Sequence, residues 1–489
     1  MRLSYLFCMK KLTKIIATVG PASESPEMIS KLIDCGVNIF RFNIKHNELP
    51  WHEEKVKLVK EIADGKGVAI GTLLDLQGPE IRTVMKEEEV RLAKGDSVII
   101  GEGEGHPTFS ISHPQIIKHL EKGQKIVVED GRCRFEVVEV LPKGAVLKAE
   151  QDQTLKPKKT FNIPGASYPM PTLTEKDEEA IKMAAKIKKV DFIALSFVRS
   201  AQDILDLKEV MKKLKLVARV IPKVETQLAL DNLDEIVAVS EGLMVARGDL
   251  GVEIPMEQVP HYQKLMIKKC LERGIPVITA TQMLISMFDK PYPTRAEISD
   301  VANAAYDFTD TTMLSEESAM GNFPDKAVET MAATVGFSEK GGIVKDTRDV
   351  FDYYILDSEE MLCDTAYNLY LTFEHEEQPI GGFIVFSETG RTGRKLSRYR
   401  AKAPIFVFTP DEKVRDGLTM SFGVTPFVQP SEMKDRSTVR IEDMKEAFKF
   451  LVKHAHVDPD KRYILLYGDS WGVEGGVSTI KIVYPKNLD

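Results

Sequence analysis

The chain has 489 residues, which is too long for one ordinary domain, so two or three domains are expected. Its 43% of hydrophobic residues is typical of a globular protein. The net charge of -8 gives no indication of a nucleic-acid or membrane-surface partner, and no apolar run approaches the roughly 18 residues that a membrane-spanning helix needs. Five widely spaced cysteines without a CxxC pair argue against a disulfide framework or a zinc site and favour the cytoplasm.

The first residues do not read as part of the fold. Residues 1–8 are apolar but too short for a signal peptide with its cleavage site, and Met9 leads directly into the first strand pattern. We interpret residues 1–8 as an extra tail. Whether Met1 or Met9 is the true start stays open.

Eight short apolar segments have the length of buried strands, and helical patterns separate most of them. They are Lys14–Val19, Val37–Phe42, Val68–Asp75, Asp191–Ser196, Val217–Pro222, Gly242–Arg247, Pro276–Ala280 and Thr311–Leu314. Eight such β-then-α units predict a (β/α)8 TIM barrel, whose active site is built at the carboxyl ends of its strands. Polar residues suited to metal and phosphate chemistry follow these segments, and core packing does not explain them.

The gap between the third and fourth predicted strands is too long for a barrel loop. Short strand patterns separated by glycine-containing turns fill it. They are Val84–Val90, Ser97–Gly101, Lys125–Glu129, Cys133–Val140 and Ala145–Lys148. They predict a small β-domain, residues 84–168, inserted between barrel parts 1–83 and 169–345. An insert at the catalytic end of a barrel is well placed to act as a lid.

Residues 351–489 predict a third domain of α/β type with a mostly parallel sheet. Its predicted helices are Met361–Phe373, Thr392–Tyr399 and Ile441–Lys453. Its predicted strands are Phe383–Phe386, Ile405–Phe408, Tyr463–Tyr467 and Ile480–Tyr484.

Two carboxylates follow neighbouring predicted strands, Glu225 after the fifth and Asp249 after the sixth. Such a pair can share one Mg²⁺ ion, which takes one or two protein carboxylates and completes its shell with water and substrate oxygens. Lys223 lies on the same side of the extended segment as Glu225, where an ammonium can stabilise a phosphoryl group in transfer. Gly248 allows backbone amides to approach an anion. A Lys-x-Glu alone is more often a surface pair, but its place at a barrel strand end favours the catalytic interpretation.

Several long segments match the motifs of one family in the same order. They are Thr13–Ser23, Gly36–Asn43, Leu74–Thr83, Ala246–Pro255, Ala280–Leu284 and Pro293–Asn303. Through them the chain resembles pyruvate kinase, from about Leu12 to its end. The resemblance is strongest in the barrel and weakest at the C-terminus.

The resemblance implies a glycolytic phosphotransferase that moves the phosphoryl group of phosphoenolpyruvate to ADP, giving pyruvate and ATP, with Mg²⁺ or Mn²⁺ as the metal. It implies that Lys223 stabilises the transferred group, that Glu225 and Asp249 hold the metal, and that Thr281 helps a proton reach the enolate. The implied substrate-binding residues are Arg41, Lys223, Gly248, Asp249 and Thr281, of which Arg41, Lys223 and Thr281 are catalytic.

The resemblance also implies a nucleotide site. Its residues would be Pro21, His46, Arg82 and Lys159, and closure of the lid would deliver Lys159. Pro21 as a simple turn former and His46 as a surface histidine remain alternatives. Glu317, after the eighth strand, either supports the barrel rim or acts directly.

One departure from the family concerns the monovalent cation. Where the family has a serine ligand of K⁺, this chain has Lys45, while Asn43, Asp75 and the backbone carbonyl of Leu76 remain as ligands. The Lys45 ammonium either takes the place of K⁺ or extends into solvent. Glu80 is the residue associated with K⁺-dependent members, so the K⁺ requirement stays open.

A further loop has the features of a phosphate cradle: hydroxyl groups, a glycine and free helix N-terminal amides. Its residues are Ser387, Thr389, Gly390, Arg391 and Thr392. The resemblance implies that it binds the phosphate of an allosteric sugar phosphate or AMP, in a regulatory domain of a homotetramer. A plain capped helix is the alternative.

Two other functions compete with phosphoryl transfer. One is a Mg²⁺-dependent enzyme that acts on a carbon–carbon or carbon–phosphorus bond of phosphoenolpyruvate or pyruvate; the predicted lid and Lys223 argue against it. The other is a non-catalytic sugar-phosphate sensor, and the argument against it is that Lys223, Glu225, Asp249 and Thr281 are all retained.

Overall fold

The computed structural model describes residues 11–129, 131–166, 170–341, 346–353, 355–429, 441–454, 456–468 and 476–487. The predicted tail of residues 1–8, Met9 and the predicted domain limits at 168, 169, 345 and 489 lie outside these ranges. None of the helices in the described ranges is long and apolar enough to cross a membrane.

Eight parallel strands close into a barrel, which confirms the predicted TIM barrel. In chain order they are Lys14–Thr18, Ile39–Asn43, Gly71–Asp75, Phe192–Leu195, Arg219–Val224, Leu243–Ala246, Val277–Ala280 and Thr311–Leu314. Each strand pairs with its sequence neighbours, and the first pairs with the eighth through the register Lys14 to Thr311. All eight predicted strands are therefore present, and their carboxyl ends meet at one rim.

The barrel strands are buried on both faces, which explains why they read as continuous apolar runs. The inward-facing side chains form one cluster that includes Ile16, Leu73, Phe192, Met244 and Met313. A surrounding ring of α-helices buries the outward faces. These helices are Pro26–Cys35, Leu49–Lys66, Glu175–Ile187, Ala201–Lys213, Gln227–Asp231, Leu233–Val239, Arg247–Glu253, Val259–Arg273, Arg295–Tyr306, Glu316–Ala319 and Pro324–Gly341.

Local sequence signals start several of these helices. The Ser25 side chain accepts from the Met28 backbone N–H, with proline in the first turn. Capping boxes pair Thr174 with Asp177 and Thr294 with Glu297, so both helices begin with their free N–H groups satisfied.

The insert forms a seven-stranded sheet and a two-stranded one. Spatial order in the larger sheet is Phe161–Asn162, Lys125–Val128, Cys133–Leu141, Gly144–Ala149, Ser97–Gly101, Thr108–Ile111 and Thr83–Val84. The smaller sheet pairs Gln153–Leu155 with Val90–Leu92. The prediction of one strand over Val84–Val90 is wrong, because the charged residues 86–89 are exposed and separate two short strands.

The C-terminal domain contains a five-stranded sheet in the order Val424–Val428, Ile405–Thr409, Gly382–Phe386, Tyr463–Tyr467 and Thr479–Val483. The first four strands run parallel and the last is antiparallel to its neighbour, which confirms a mostly parallel sheet. Its α-helices are Ser358–His375, Arg391–Ser397, Glu412–Asp416 and Ile441–Lys453. The strand Val424–Val428 was not predicted.

The C-terminal domain packs against the amino-terminal end of the barrel. Met420 joins the cluster inside the barrel, and its carbonyl accepts a hydrogen bond from Thr311. At the same contact between the domains, the buried Lys60 ammonium of the barrel pairs with Asp191 of the barrel at 2.6 Å and with Asp416 of the C-terminal domain at 2.7 Å. This domain therefore closes one end of the barrel and leaves the rim at the carboxyl ends of the strands free.

Candidate active site

Lys223 lies at the centre of a buried group of charges on the fifth barrel strand. Its Nζ is 2.8 Å from Glu225 Oε1 and 3.5 Å from Asp75 Oδ1, and it donates to Ser196 Oγ at 3.0 Å. Burial alone would lower the pKa of Lys223, but Asp75 and Glu225 outweigh it and raise that pKa. The ammonium therefore stays charged inside the barrel mouth.

Glu225 is almost fully buried and only half satisfied. Its Oε2 accepts the backbone N–H of Phe197 at 2.7 Å, whereas Oε1 touches Lys223 without hydrogen-bond geometry. Burial raises the pKa of Glu225 to about 7, opposed by Lys223 and assisted by the nearby Asp249 carboxylate. A buried carboxylate oxygen with no hydrogen-bond donor fits a position that a cation fills.

Asp249 and Glu225 are the two carboxylates predicted to hold a divalent ion. Asp249 lies in the first turn of the helix Arg247–Glu253, directly after the sixth strand, and it is close enough to act on Glu225 electrostatically. Within the described ranges no group of three or more His, Cys, Asp or Glu side chains is arranged to hold a metal. Two carboxylates suit Mg²⁺, which keeps water and substrate oxygens in its shell.

Thr281 sits beside this pair in a strained conformation. Its φ of 67° and the φ of 55° at Gln282 lie in the left-handed region, which is unusual for a β-branched residue and clusters at functional sites. The Thr281 hydroxyl donates to the Ala280 carbonyl at 2.7 Å and accepts the Gly248 N–H at 2.9 Å. The structure thus brings together Gly248 and Thr281, both predicted for substrate binding.

Arg247, which was not predicted as a site residue, fixes the strained segment. Its guanidinium donates to the carbonyl oxygens of Ala280 at 3.0 Å and Thr281 at 2.7 Å, and it pairs with Asp300 at 2.7 Å. Its place next to Gly248 at a strand end was the available signal.

Arg41 reaches the same group from the second strand. Its Nε donates to Asp75 Oδ2 at 2.7 Å, and its Nη1 donates to the Thr18 hydroxyl at 3.0 Å. Burial would raise the pKa of Asp75, but Lys223 and Arg41 lower it overall. Arg41, Asp75 and Lys223 therefore form one continuous charge network, in which Asp75 Oδ1 is buried without a hydrogen-bond donor.

Lys45 turns inward and pairs with Glu80 at 2.7 Å, with only 20% of its side chain exposed. It is close enough to help lower the pKa of Asp75. The Asn43 side-chain oxygen accepts the Lys45 backbone N–H at 3.1 Å, and the Leu76 carbonyl accepts from Ser196 at 2.6 Å. An extended, solvated Lys45 is thus not what the structure contains.

The residues predicted for the nucleotide occupy the edge of this network. Arg82 pairs with Glu80 at 2.5 Å and bridges to Thr160 of the insert. Lys159 pairs with Glu129 at 2.7 Å. Burial, Arg41 and Lys45 lower the pKa of His46, so the imidazole tends to be neutral near several cations.

Pro21 stands apart from these contacts, exposed in the turn after the first strand. Glu317 is fully buried, and its two oxygens accept the backbone N–H groups of Leu284 at 3.0 Å and Ser315 at 2.8 Å. Those contacts give Glu317 a supporting role at the barrel rim.

The predicted phosphate loop lies in the C-terminal domain, where an acidic side chain already meets it. The buried Thr392 hydroxyl donates to Glu359 Oε1 at 2.5 Å, and Ser387 Oγ is 3.4 Å from Thr392 Oγ1. Arg391 pairs with Asp357 at 2.5 Å. Gly390 has a φ of 71° and precedes the helix Arg391–Ser397, with Thr389 just before it. Glu359 and Asp357 therefore already contact this loop, and an anion that binds there would lie beside them.

Two other contributors to the site were missed from sequence. Ser196 binds Lys223, and the Phe197 backbone, with a φ of 53°, binds Glu225. The end of the fourth strand was the only signal for both, since a serine and a phenylalanine have no ionisable group there.

Two family models match the chain. The pyruvate kinase barrel domain matches residues 10–328, and the pyruvate kinase alpha/beta domain matches residues 372–483. The chain belongs to the pyruvate kinase family. It is therefore a phosphotransferase. Neither of the two alternatives, a non-catalytic sugar-phosphate sensor or an enzyme acting on a carbon–carbon or carbon–phosphorus bond, is favoured.

Curated relatives and a solved structure agree with this assignment. The pyruvate kinase of Staphylococcus epidermidis is 38% identical over 481 residues, covering 96% of this chain and 80% of the relative. That of Bacillus licheniformis is 42% identical over 424 residues, covering 84% and 71%. The crystal structure of a pyruvate kinase from Cryptosporidium parvum superposes with a TM-score of 0.87 at 30% identity, covering 98% of this chain and 97% of that one.

Proposed function

We propose that this protein carries out the pyruvate kinase reaction of glycolysis, transferring the phosphoryl group of phosphoenolpyruvate to ADP to give pyruvate and ATP. The observation that carries the proposal is the buried Lys223 ammonium among Glu225 and Asp75, at the carboxyl ends of the barrel strands. A charged group held in place in a low-dielectric site stabilises a transferring phosphoryl group more strongly than the same group in water.

Lys223 and Arg41 bind the phosphoryl group from two sides. Both cations are fixed by Asp75, so neither has to reorganise as charge moves from the donor oxygen to the acceptor oxygen. This preorganisation is the main contribution that the chain makes to the transfer step.

Glu225 and Asp249 would hold Mg²⁺ or Mn²⁺, which supplies charge neutralisation at the phosphate and at the substrate carboxylate. The half-satisfied Glu225 carboxylate supports this assignment. Gly248 and Thr281 bind the carboxylate end of the substrate, which replaces the hydrogen bond that the Gly248 N–H now donates to the Thr281 hydroxyl. The Thr281 hydroxyl then relays a proton toward the enolate carbon through water.

His46, Arg82, Lys159 and Pro21 face the nucleotide. Arg82 and Lys159 are tied to carboxylates that ADP phosphates would displace, Glu80 and Glu129 respectively. Because Lys159 lies in the insert, lid closure brings it to the nucleotide.

Lys45 replaces K⁺ in this chain. Its ammonium lies against Glu80 and close to Asp75, so it supplies a positive charge without an ion from solution. Asn43, Asp75 and Leu76 keep the oxygens that K⁺ would use if the lysine were removed.

The Ser387–Thr392 loop binds a phosphate of a sugar phosphate or AMP, which displaces Glu359 from Thr392. The protein acts in the cytoplasm as a homotetramer, as family membership suggests.

A coupled assay tests the proposed function. Pyruvate released from phosphoenolpyruvate is followed with lactate dehydrogenase, with and without ADP and with and without Mg²⁺. Pyruvate formation that requires both ADP and Mg²⁺ supports the proposal. Pyruvate formation without ADP, or no pyruvate at all from folded protein, would refute it.

A further inference from the structure

One short barrel helix contacts both the substrate site and the inserted domain. The helix Arg247–Glu253 carries Gly248 and Asp249 in its first turn and ends at Glu253. Glu253 Oε1 accepts a hydrogen bond from Asn162 Nδ2 of the inserted domain at 3.1 Å.

This contact lies within the cleft between the inserted domain and the barrel. Asn162 and Gly165 line the cleft from one side, and Asp249, Glu253 and Arg199 from the other. Burial raises the pKa of Glu253, while the hydrogen bond from Asn162 opposes the rise because it favours the ionised form. The hydrogen bond from Asn162 therefore offsets part of the cost of burying this carboxylate under the inserted domain.

Other hydrogen bonds near the inserted domain hold its connections to the barrel rather than its free edge. The Thr83 N–H donates to the Lys159 carbonyl at 2.9 Å where the two connecting strands run side by side. Arg199 donates to the Met170 carbonyl at 3.0 Å on the returning chain. The Glu253 contact involves the returning chain as well, between Lys159 and Met170, but it joins that chain to the helix that carries Asp249.

We propose that Glu253 and Asn162 form a latch that holds the inserted domain closed over the barrel and couples closure to the helix that carries Asp249. Glu253 is then a positioning residue for nucleotide binding, because Asn162, its hydrogen-bond partner, lies three residues after Lys159. This consequence for the nucleotide rests on the proposed function, whereas the latch itself does not.

The test is a set of substitutions that first remove and then exchange the donor and the acceptor of this hydrogen bond. Glu253→Ala and Asn162→Ala each remove the hydrogen bond, and the double variant measures their coupling. Asn162→Asp places two carboxylates together, and Asn162→Asp with Glu253→Gln restores a donor–acceptor pair with the roles reversed. Glu257→Ala, an exposed glutamate just beyond the same helix, is the matched control.

Two measurements are made on each variant. The KM for ADP and kcat come from the coupled assay, and hydrogen exchange of the backbone amides at 159–166 is followed in the unliganded protein. Each alanine variant should raise the KM for ADP by about 10-fold, the effect of losing a hydrogen bond to a charged acceptor, and should speed the exchange. The double alanine variant should be no worse than the worse single one, and the reversed pair should recover most of the loss caused by Asn162→Asp.

Additive effects of the two alanine substitutions would overturn the latch, as would a reversed pair no better than Asn162→Asp alone. Unchanged exchange at 159–166 in both alanine variants would do the same. A parent protein without phosphoryl transfer would refute the proposed function, and the exchange data would still decide the latch.

Discussion

Replacing Lys45 with serine is expected to make the enzyme dependent on K⁺. The parent should run at near full rate without K⁺, because the Lys45 ammonium is already held 2.7 Å from Glu80 and acts on Asp75. In Lys45→Ser that charge is lost, while the oxygens of Asn43, Asp75 and Leu76 remain to bind an ion.

The expected magnitude follows from the position of the charge. If the separation from the transferred phosphoryl group is taken as about 8 Å and the effective dielectric constant as about 20, a unit charge contributes about 2 kcal/mol. That corresponds to about 30-fold in rate. Lys45→Ser should therefore lose about that factor in K⁺-free buffer and regain most of it on addition of K⁺.

The coupled assay in a tetramethylammonium background, titrated with KCl, measures this directly. Lys57→Ser, at a lysine of the helix Leu49–Lys66 that pairs with Glu53 on the protein surface, is the matched control and should show no response to K⁺. Strong K⁺ activation of the parent would refute the reasoning, and so would a Lys45→Ser variant that stays fully active without K⁺.

Three further changes test other parts of the structure. Glu225→Gln or Asp249→Asn should weaken Mn²⁺ binding strongly in an EPR titration, because each removes a ligand charge from one ion; unchanged affinity in either variant would place the metal elsewhere. Met420→Ala should lower the free energy of unfolding by about 2–5 kcal/mol through the cavity left at the end of the barrel, and an unchanged denaturation midpoint would mean that the domain contact does not stabilise the fold. Thr392→Glu should abolish any shift that sugar phosphates or AMP cause in the phosphoenolpyruvate saturation curve, since it adds a negative charge to the loop; a parent curve that none of these compounds shifts would make the loop structural.

The barrel was predictable because its strands are buried on both faces and helical patterns separate most of them. The eighth strand was predicted with the bounds that the structure has, Thr311–Leu314. The strands of the insert were harder to predict, because they are short and partly exposed. Two of its strands were predicted as one across the exposed residues 86–89 that separate them. The strand Val424–Val428 was missed because it contains Pro426, which is tolerated only because the strand lies at the edge of its sheet.

The site was predictable where the fold alone fixes it. Lys223, Glu225 and Asp249 lie at the carboxyl ends of neighbouring strands, so their proximity comes from the topology of the barrel. The contacts of Ser196, Arg247 and Glu253 depend instead on how distant segments pack: Arg247 meets Asp300 and the strained Thr281, and Glu253 meets the inserted domain. Nothing in the local sequence specifies those partners.

The central claim is that Lys223 stabilises the transferred phosphoryl group, and steady-state kinetics of Lys223→Met test it most directly. The side chain of methionine has a similar length and no charge, and circular dichroism checks that the variant is folded. Lys208→Met, at a partly exposed lysine paired with Glu241, is the control and should keep parental turnover. Lys223→Met should lose at least about 100-fold in kcat, as expected when a preorganised charge is removed. A folded Lys223→Met variant that keeps more than about a tenth of parental turnover would contradict the claim.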